Sequence, residues 1–145
     1  MTKKRASKNV RRASDGVRLY MRSRGVSDDL IDGGLDGAVD RWDVIARSAK
    51  DYDFTLDDWL NDMDLRDIIE GGLQAADEAE RAAVSRRLAN ADERLMKATV
   101  QTGSIWGDAM AAAAAYDPGT TWWYFRRPVN PGEIMQADLD AAGLA

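Results

Sequence analysis

The stretch SDDLIDGGLDGAVDRWDVIARSA, residues 27–49, decides the class of fold. Its apolar residues recur at steps of three and four and share one face at about 100° per residue, which is typical of an amphipathic helix. These residues are Ile31, Leu35, Val39, Trp42, Ile45, Ala46 and Ala49. Ser27 is the predicted N-cap, because serine accepts a hydrogen bond from the free N–H groups of a first turn. The DGG at 32–34 predicts an interruption, so that the regular helix starts near Leu35.

Two further helical stretches follow. Thr55 and Asp58 predict a capping box at the start of the first one. Its apolar residues change face within the stretch: Leu56, Trp59, Leu60 and Met63 share one face, and Leu65, Ile68, Ile69 and Leu73 lie on nearly the opposite one. That change predicts a break at 61–64, with Asp64 capping a new helix. Asp77 and Glu80 predict the next capping box, for a helix from about 78 to 99 whose apolar stripe is Val84, Leu88, Ala91 and Leu95.

The last third of the chain is rich in alanine and aromatic residues. Ser104 is the predicted cap of an interior helix that runs through the alanines to Ala115, because alanine favours helix and allows close packing. A turn is expected at 117–119. The TTWWYF at 120–125 is rich in β-forming residues and predicts an extended segment. Asn130 is expected to cap a short final helix that starts at Pro131.

These patterns predict an all-α fold: a compact single-domain bundle of about five to six helices, with one short extended aromatic segment near residues 120–127. The helical domain is expected to cover residues 25–145. Residues 1–24 are expected to form a basic N-terminal arm, partly flexible or weakly helical from about Ala6 to Ser23 and ended by Gly25.

The composition excludes several kinds of chemistry. The 145 residues contain neither cysteine nor histidine, so disulfides, thiolate zinc sites, cysteine nucleophiles and histidine bases are excluded. No cofactor, metal or catalytic residue is therefore assigned, and a non-enzymatic protein is favoured while an enzyme remains the alternative. No apolar stretch follows the basic N-terminus and no window approaches a membrane span. A cytoplasmic location without membrane binding is the expectation.

Charge is distributed unevenly along the chain. Residues 1–24 hold nine basic side chains and one acid, whereas residues 28–80 hold seventeen acids and four bases. In the helix after Ser27, five aspartates lie about 120° from the centre of the apolar face: Asp29, Asp32, Asp36, Asp40 and Asp43. We call these five residues the acidic ridge. Together with the acids at 51–64, the ridge predicts a surface for a basic protein partner. A genome-wide or salt-adapted excess of aspartate explains the same composition.

The aromatic segment supplies a second candidate surface. Trp122, Trp123, Arg126 and Arg127 are residue types that often dominate binding energies at protein interfaces. The alternative is a strap laid across the helices, with some of the aromatic rings in the core. The two interpretations are compatible, because an extended segment has two faces. A self-associating subunit closed by this segment is a further alternative.

Three other functions are weaker on the sequence. Carboxylate pairs three residues apart (Asp40/Asp43, Asp64/Asp67 and Asp77/Glu80) are compatible with a magnesium-dependent all-α nucleotide or phosphate hydrolase. Residues 51–62 place acids at positions 1, 3, 7 and 12 of a calcium-loop template, but Leu56 replaces its glycine and Asp62 its glutamate. The basic residues within 3–24 are compatible with a nucleic-acid accessory protein.

The sequence thus favours a non-enzymatic acidic helical binding protein of bacterial type. Its role would be that of an antitoxin, an immunity protein or a regulatory interaction module for a basic partner. In size and charge alone, the chain resembles small bacterial proteins that neutralise basic toxins or nucleases.

Overall fold

A computed structural model of the chain describes residues 13–145. Within them lie six α-helices, two 3₁₀ turns and a two-stranded sheet, which confirms the predicted all-α bundle. The helices are α1 (Asp15–Ser23), α2 (Asp28–Ser48), α3 (Leu56–Ala75), α4 (Glu78–Lys97), α5 (Asp108–Ala114) and α6 (Glu133–Ala142). The strands are β1 (Thr99–Gln101) and β2 (Arg126–Pro128), and the 3₁₀ turns are Ala49–Asp51 and Trp122–Phe125.

The second half of the predicted arm is a packed helix. The Ser14 hydroxyl caps α1 by accepting a hydrogen bond from the Val17 N–H at 3.4 Å. Val17 and Met21 are fully buried, and α1 packs against α2 and α3. The chain leaves α1 through Gly25, at a φ of +71°, where the sequence predicts the end. The rest of the arm, with the helix start predicted near Ala6, lies outside the described residues, and the domain boundary at residue 25 stays a prediction.

The predicted interruption of α2 lies at Gly34. Ser27 caps the helix as expected, and its hydroxyl accepts from the Leu30 N–H at 3.3 Å. Gly34 has a φ of 63° and a ψ of −157°, a conformation that is essentially restricted to glycine. A Cβ atom on Gly34 would lie 3.0 Å from the Cβ of Ala13. The kink therefore lets the chain before α1 pack closely against α2.

The break predicted at 61–64 is wrong, because α3 is one continuous helix. The Thr55 and Asp58 capping box is confirmed, with both of its side-chain to N–H bonds at 3.1 Å. Both apolar faces of α3 are used: Trp59 and Met63 are buried, and so are Leu65 and Ile69. The helix has neighbours around it, namely α1, α2, α6 and the Trp122–Phe125 turn. A helix in the middle of a bundle needs no phase change to bury two faces.

The next helix, α4, begins as the sequence predicts. Asp77 and Glu80 form the capping box, and the buried Glu80 also accepts a hydrogen bond from the Ser14 N–H at 2.9 Å. The predicted apolar stripe is buried, and α4 is the main packing partner of α2. After α4 the chain forms β1, which pairs antiparallel with β2 in the register Thr99 to Pro128.

The C-terminal part differs most from expectation. The interior helix predicted from Ser104 is wrong, because α5 begins only at Asp108 and has no buried side chain. Ser104 is itself buried, and Gly107, with a φ of 91°, precedes α5. The aromatic residues at 122–125 form a 3₁₀ turn, and the extended part starts at Arg126. The final helix starts at Glu133 after Gly132, so Asn130 is not its cap.

Candidate functional site

Most of the acidic ridge is paired with arginines of the same chain. Asp36 and Asp40 on α2 bind the two terminal nitrogens of Arg87 on α4, at 2.5 and 2.6 Å. Asp43 bridges two arginines: one oxygen contacts Arg94 of α4 at 2.6 Å and the other contacts Arg47 at 2.8 Å. The residues expected to receive a basic partner therefore form an interhelical ladder between α2 and α4.

The remaining ridge residues lie nearer the start of α2. Asp32 faces Arg18 of α1 at 3.8 Å, and Asp29 is exposed. Exposed ion pairs each contribute at most about 1 kcal/mol, so the ladder is a modest source of stability. Its larger effect is on the surface field, since each arginine cancels much of an aspartate's charge. The ridge stays a prediction as a partner site, but its available charge is smaller than the sequence indicates.

The aromatic segment behaves mainly as a strap. Trp123, Tyr124 and Phe125 are buried, and the guanidinium of Arg66 lies 4.8 Å from the centre of the Trp123 ring. Trp122 is only half-buried. The strap interpretation thus describes three of the four aromatic residues.

Both arginines after the strap bond to the backbone nearby. Arg126 donates to the Thr99 hydroxyl at 2.8 Å and to the Thr99 carbonyl at 3.0 Å. Arg127 donates to the Pro128 carbonyl at 3.0 Å. Arg126 also donates to the Met96 carbonyl at 3.2 Å, so it fastens β2 to β1 and to the end of α4 and has a structural role.

A carboxyl–phenol pair lies beneath the strap. The Tyr124 hydroxyl donates to Asp64 at 2.5 Å. Burial raises the pKa of Asp64, although the bond from Tyr124 and the charge of Arg24 act in the opposite direction. Burial, together with the bond to Asp64, also raises the pKa of Tyr124. Asp64 was expected to cap a helix, and instead it anchors the strap to the middle of α3.

The carboxylate pairs considered for magnesium have protein partners. Asp67 binds Arg24 at 3.0 Å, beside the Tyr124 bond of Asp64. Asp77 and Glu80 accept each other's backbone N–H groups as a helix cap. Within residues 13–145, no group of three or more acidic side chains is arranged to hold a metal ion.

An exposed aromatic ring at the start of α3 is a feature that the sequence reasoning missed. Phe54 is 59% exposed, yet its ring is fixed edge-on against the buried Tyr52, with 5.4 Å between the centroids. Tyr52 is held in turn by Trp59, at 4.8 Å between ring centroids, and by a 2.8 Å bond from its hydroxyl to Asp62. Burial and the bond to Asp62 raise the pKa of Tyr52, so its hydroxyl remains a donor.

Four exposed aspartates surround Phe54 in the sequence: Asp51, Asp53, Asp57 and Asp58. We call these five residues the Phe54 surface. Within the described part of the chain, none of the four aspartates forms an ion pair. The Asp58 carboxylate accepts from the N–H and the hydroxyl of the neutral Thr55, its partner in the capping box. Unlike the ridge, this surface keeps its full negative charge.

The segment before α3 is tied to α6. The Gly132 N–H donates to the Tyr52 carbonyl at 2.8 Å, and the Leu56 N–H donates to Asp138 at 2.9 Å. Since α3 starts at Leu56, the calcium-loop template at 51–62 is half helix, and Asp62 bonds to Tyr52. The signal available in the sequence was DYDF, an apolar ring between aspartates just before a capping threonine.

Two of the three arginines of the basic arm that the structure describes contact acidic residues of the fold, and the third, Arg22, is exposed. Arg18 faces Asp32, and Arg24 binds both Asp67 and the Tyr20 hydroxyl, the latter at 2.7 Å. Tyr20 packs against Gly71, so its ring is not free for base stacking. The nucleic-acid interpretation stays a prediction that depends on residues 3–12, which lie outside the described residues.

Comparison with protein-family models, with curated proteins and with solved structures finds no match to this chain. None of the helices within residues 13–145 has the length and apolar character needed to cross a membrane.

Proposed function

We propose that the protein is a non-enzymatic binding protein that receives a basic protein partner on the Phe54 surface. One observation carries the proposal: an exposed phenylalanine, packed edge-on against Tyr52, has four exposed aspartates within four residues of it in the sequence, and none of them forms an ion pair within residues 13–145. This is the acidic binding role expected from the sequence, moved from the ridge on α2 to the start of α3.

The two kinds of side chain divide the work of binding. Unpaired aspartates attract a basic surface over a distance and raise the association rate, an effect that salt screens. Phe54 supplies apolar area that a partner can bury, and a ring already held by Tyr52 loses little conformational freedom on binding. Aromatic anchors of this kind often contribute about 2 kcal/mol or more. Phe54 therefore sets mainly the dissociation rate, and the aspartates set mainly the association rate.

The test begins with capture of partners from a lysate of the organism that encodes the protein, with elution by salt. The same capture is done with Asp51→Asn/Asp53→Asn/Asp57→Asn, which removes three charges of the Phe54 surface and leaves the Thr55–Asp58 capping box intact. The matched control is Asp28→Asn/Asp29→Asn/Asp32→Asn, which removes three charges near the start of α2.

We expect a basic protein to be retained by the wild type and by the control, and to be lost by the first variant. Surface plasmon resonance on that complex separates the two effects. Phe54→Ser should raise the dissociation rate about 30-fold, equivalent to about 2 kcal/mol, and leave the salt dependence of association unchanged. Retention by the first variant, or loss by the control instead, would contradict the proposal and return the site to the ridge.

A further inference from the structure

A basic groove lies at the C-terminal ends of α2 and α4. It has a volume of about 400 Å³ and is lined by Ala46, Arg47, Lys50, Arg94, Lys97 and Ala98. Four of these six residues are cationic and none is acidic. The groove shares no residue with the Phe54 surface, and the inference drawn from it does not depend on the proposed function.

This concentration of positive charge is unusual for the part of the chain in which it lies. Six of the twenty basic residues are in residues 1–12, so residues 13–145 hold 14 basic and 25 acidic side chains, a net charge of −11. Four of those 14 cations line the one groove. A concave site lined by one sign of charge concentrates ligands of the opposite sign.

The two arginines are held in place before any ligand arrives. Asp43 accepts from Arg94 at 2.6 Å with one oxygen and from Arg47 at 2.8 Å with the other. Each guanidinium carries five N–H donors, so both keep several for an anion. A second cavity of about 230 Å³ shares Arg47 and Arg94 and continues along the α2–α4 seam past Asp40 and Asp43. The groove is therefore lined by positive charge, and the adjoining cavity is lined by charges of both signs.

The two lysines are free to move toward a ligand. Lys50 is exposed, and Lys97 contacts Glu93 at 3.5 Å in a pair whose side chains are 77% and 67% exposed. Such a pair contributes little energy. Flexible lysines beside fixed arginines combine a mobile point charge with the planar donors that match phosphate oxygens.

We propose that this groove binds a small anion that carries an oligophosphate group. Asp43, shared by the two arginines, offsets part of the four positive charges, and the remainder still exceeds the one or two negative charges that a carboxylate ligand brings. The volume is in the range of small-molecule sites, and Ala46 and Ala98 provide a small apolar wall for an attached group. Nucleic acid fits less well, because a polyanion leaving the groove meets Asp40 and Asp43 and a surface of net negative charge.

Calorimetric titration at low ionic strength tests the proposal, with tripolyphosphate, ATP, adenosine and a single-stranded oligonucleotide as probes. The groove variant is Lys50→Gln/Lys97→Gln, which leaves the Asp43 bridge intact. The matched control is Arg41→Gln/Arg86→Gln, which removes one exposed charge from α2 and one from α4, both outside the groove. Sulfate at equal ionic strength is the reference ligand in the titrations. Thermal melting of each variant checks that its fold is intact.

We expect tripolyphosphate and ATP to bind the wild type and the control alike, and the groove variant at least about tenfold more weakly. Tighter binding of ATP than of tripolyphosphate would identify a nucleotide as the source of the phosphates, and equal binding a free oligophosphate. The proposal is overturned if neither binds better than sulfate, since the cations then serve only the helix ends. It is overturned too if the control weakens binding equally, or if only the oligonucleotide binds.

Discussion

Replacing Arg66 with leucine is expected to lower the free energy of unfolding by about 3–5 kcal/mol. The Arg66 side chain is 7% exposed and joins three parts of the bundle. Its Nε and one terminal nitrogen donate to the two oxygens of Asp92 on α4, at 3.0 and 3.1 Å. Its other terminal nitrogen donates to Glu70 at 3.0 Å, and its charge lies over the ring of Trp123.

The magnitude follows from what the substitution leaves behind. The Asp92 side chain is only 19% exposed. Without Arg66, its carboxylate would still accept a hydrogen bond from the indole N–H of Trp42 at 2.9 Å. Two charge-assisted hydrogen bonds are lost, each contributing about 1.5–3 kcal/mol. The bond to Glu70 adds little, because that carboxylate is 41% exposed. Leucine recovers part of the apolar contact with Trp123. The expected loss in the free energy of unfolding therefore stays within the range of about 3–5 kcal/mol that is typical of a broken buried ion pair.

Urea denaturation followed by tryptophan fluorescence measures the change, and a fall of about 10 °C in melting temperature should accompany it. Arg66→Leu/Asp92→Leu should lose less stability than the sum of the two single variants, because neither charge is then left without its partner. A loss below about 1 kcal/mol for Arg66→Leu, or simple additivity in the double variant, would refute a buried, directly coupled pair.

The other predictions concern backbone conformation and pH. Gly34→Ala should lower the free energy of unfolding by about 1–3 kcal/mol, because its φ of 63° and ψ of −157° are strained for alanine and its Cβ would crowd Ala13. Gly37→Ala, in the same helix with open space around it, should raise that free energy by up to about 1 kcal/mol in the same denaturation assay. Asp64→Asn keeps an acceptor for Tyr124 and removes a carboxyl whose folded-state pKa is raised, chiefly by burial. A raised acid pKa means that the native state binds more protons, so wild-type stability from this group falls as pH rises above the ordinary carboxyl pKa of about 3.9. The variant should therefore gain stability relative to the wild type as pH rises above about 3.9, and a difference that does not change with pH would contradict this account.

Features that depend on neighbours in the chain were predictable. The caps at Ser27, Thr55 and Asp77 use side chains that bond to N–H groups three residues ahead, so the information is local. The interruption at Gly34 follows from the glycine pair, and the apolar stripe of α4 from its periodicity. These local signals were enough for the all-α class, for the starts of α2, α3 and α4, and for the turn after Asp117, whose side chain accepts from the Gly119 N–H at 2.8 Å.

Features that depend on residues far apart in the chain were not predictable from the sequence. Asp36 and Asp40 look like an open acidic face until α4 brings Arg87 against them from about fifty residues away. The two apolar faces of α3 indicate a break only if the helix lies at the edge of the bundle, and its central position removes that need. The sequence by itself determined the all-α class and the caps of α2, α3 and α4, because those cap bonds span only three residues. Tertiary packing alone decided which charges are neutralised and which aromatic ring stays exposed, because an ion pair or a burial depends on what the fold places opposite each side chain.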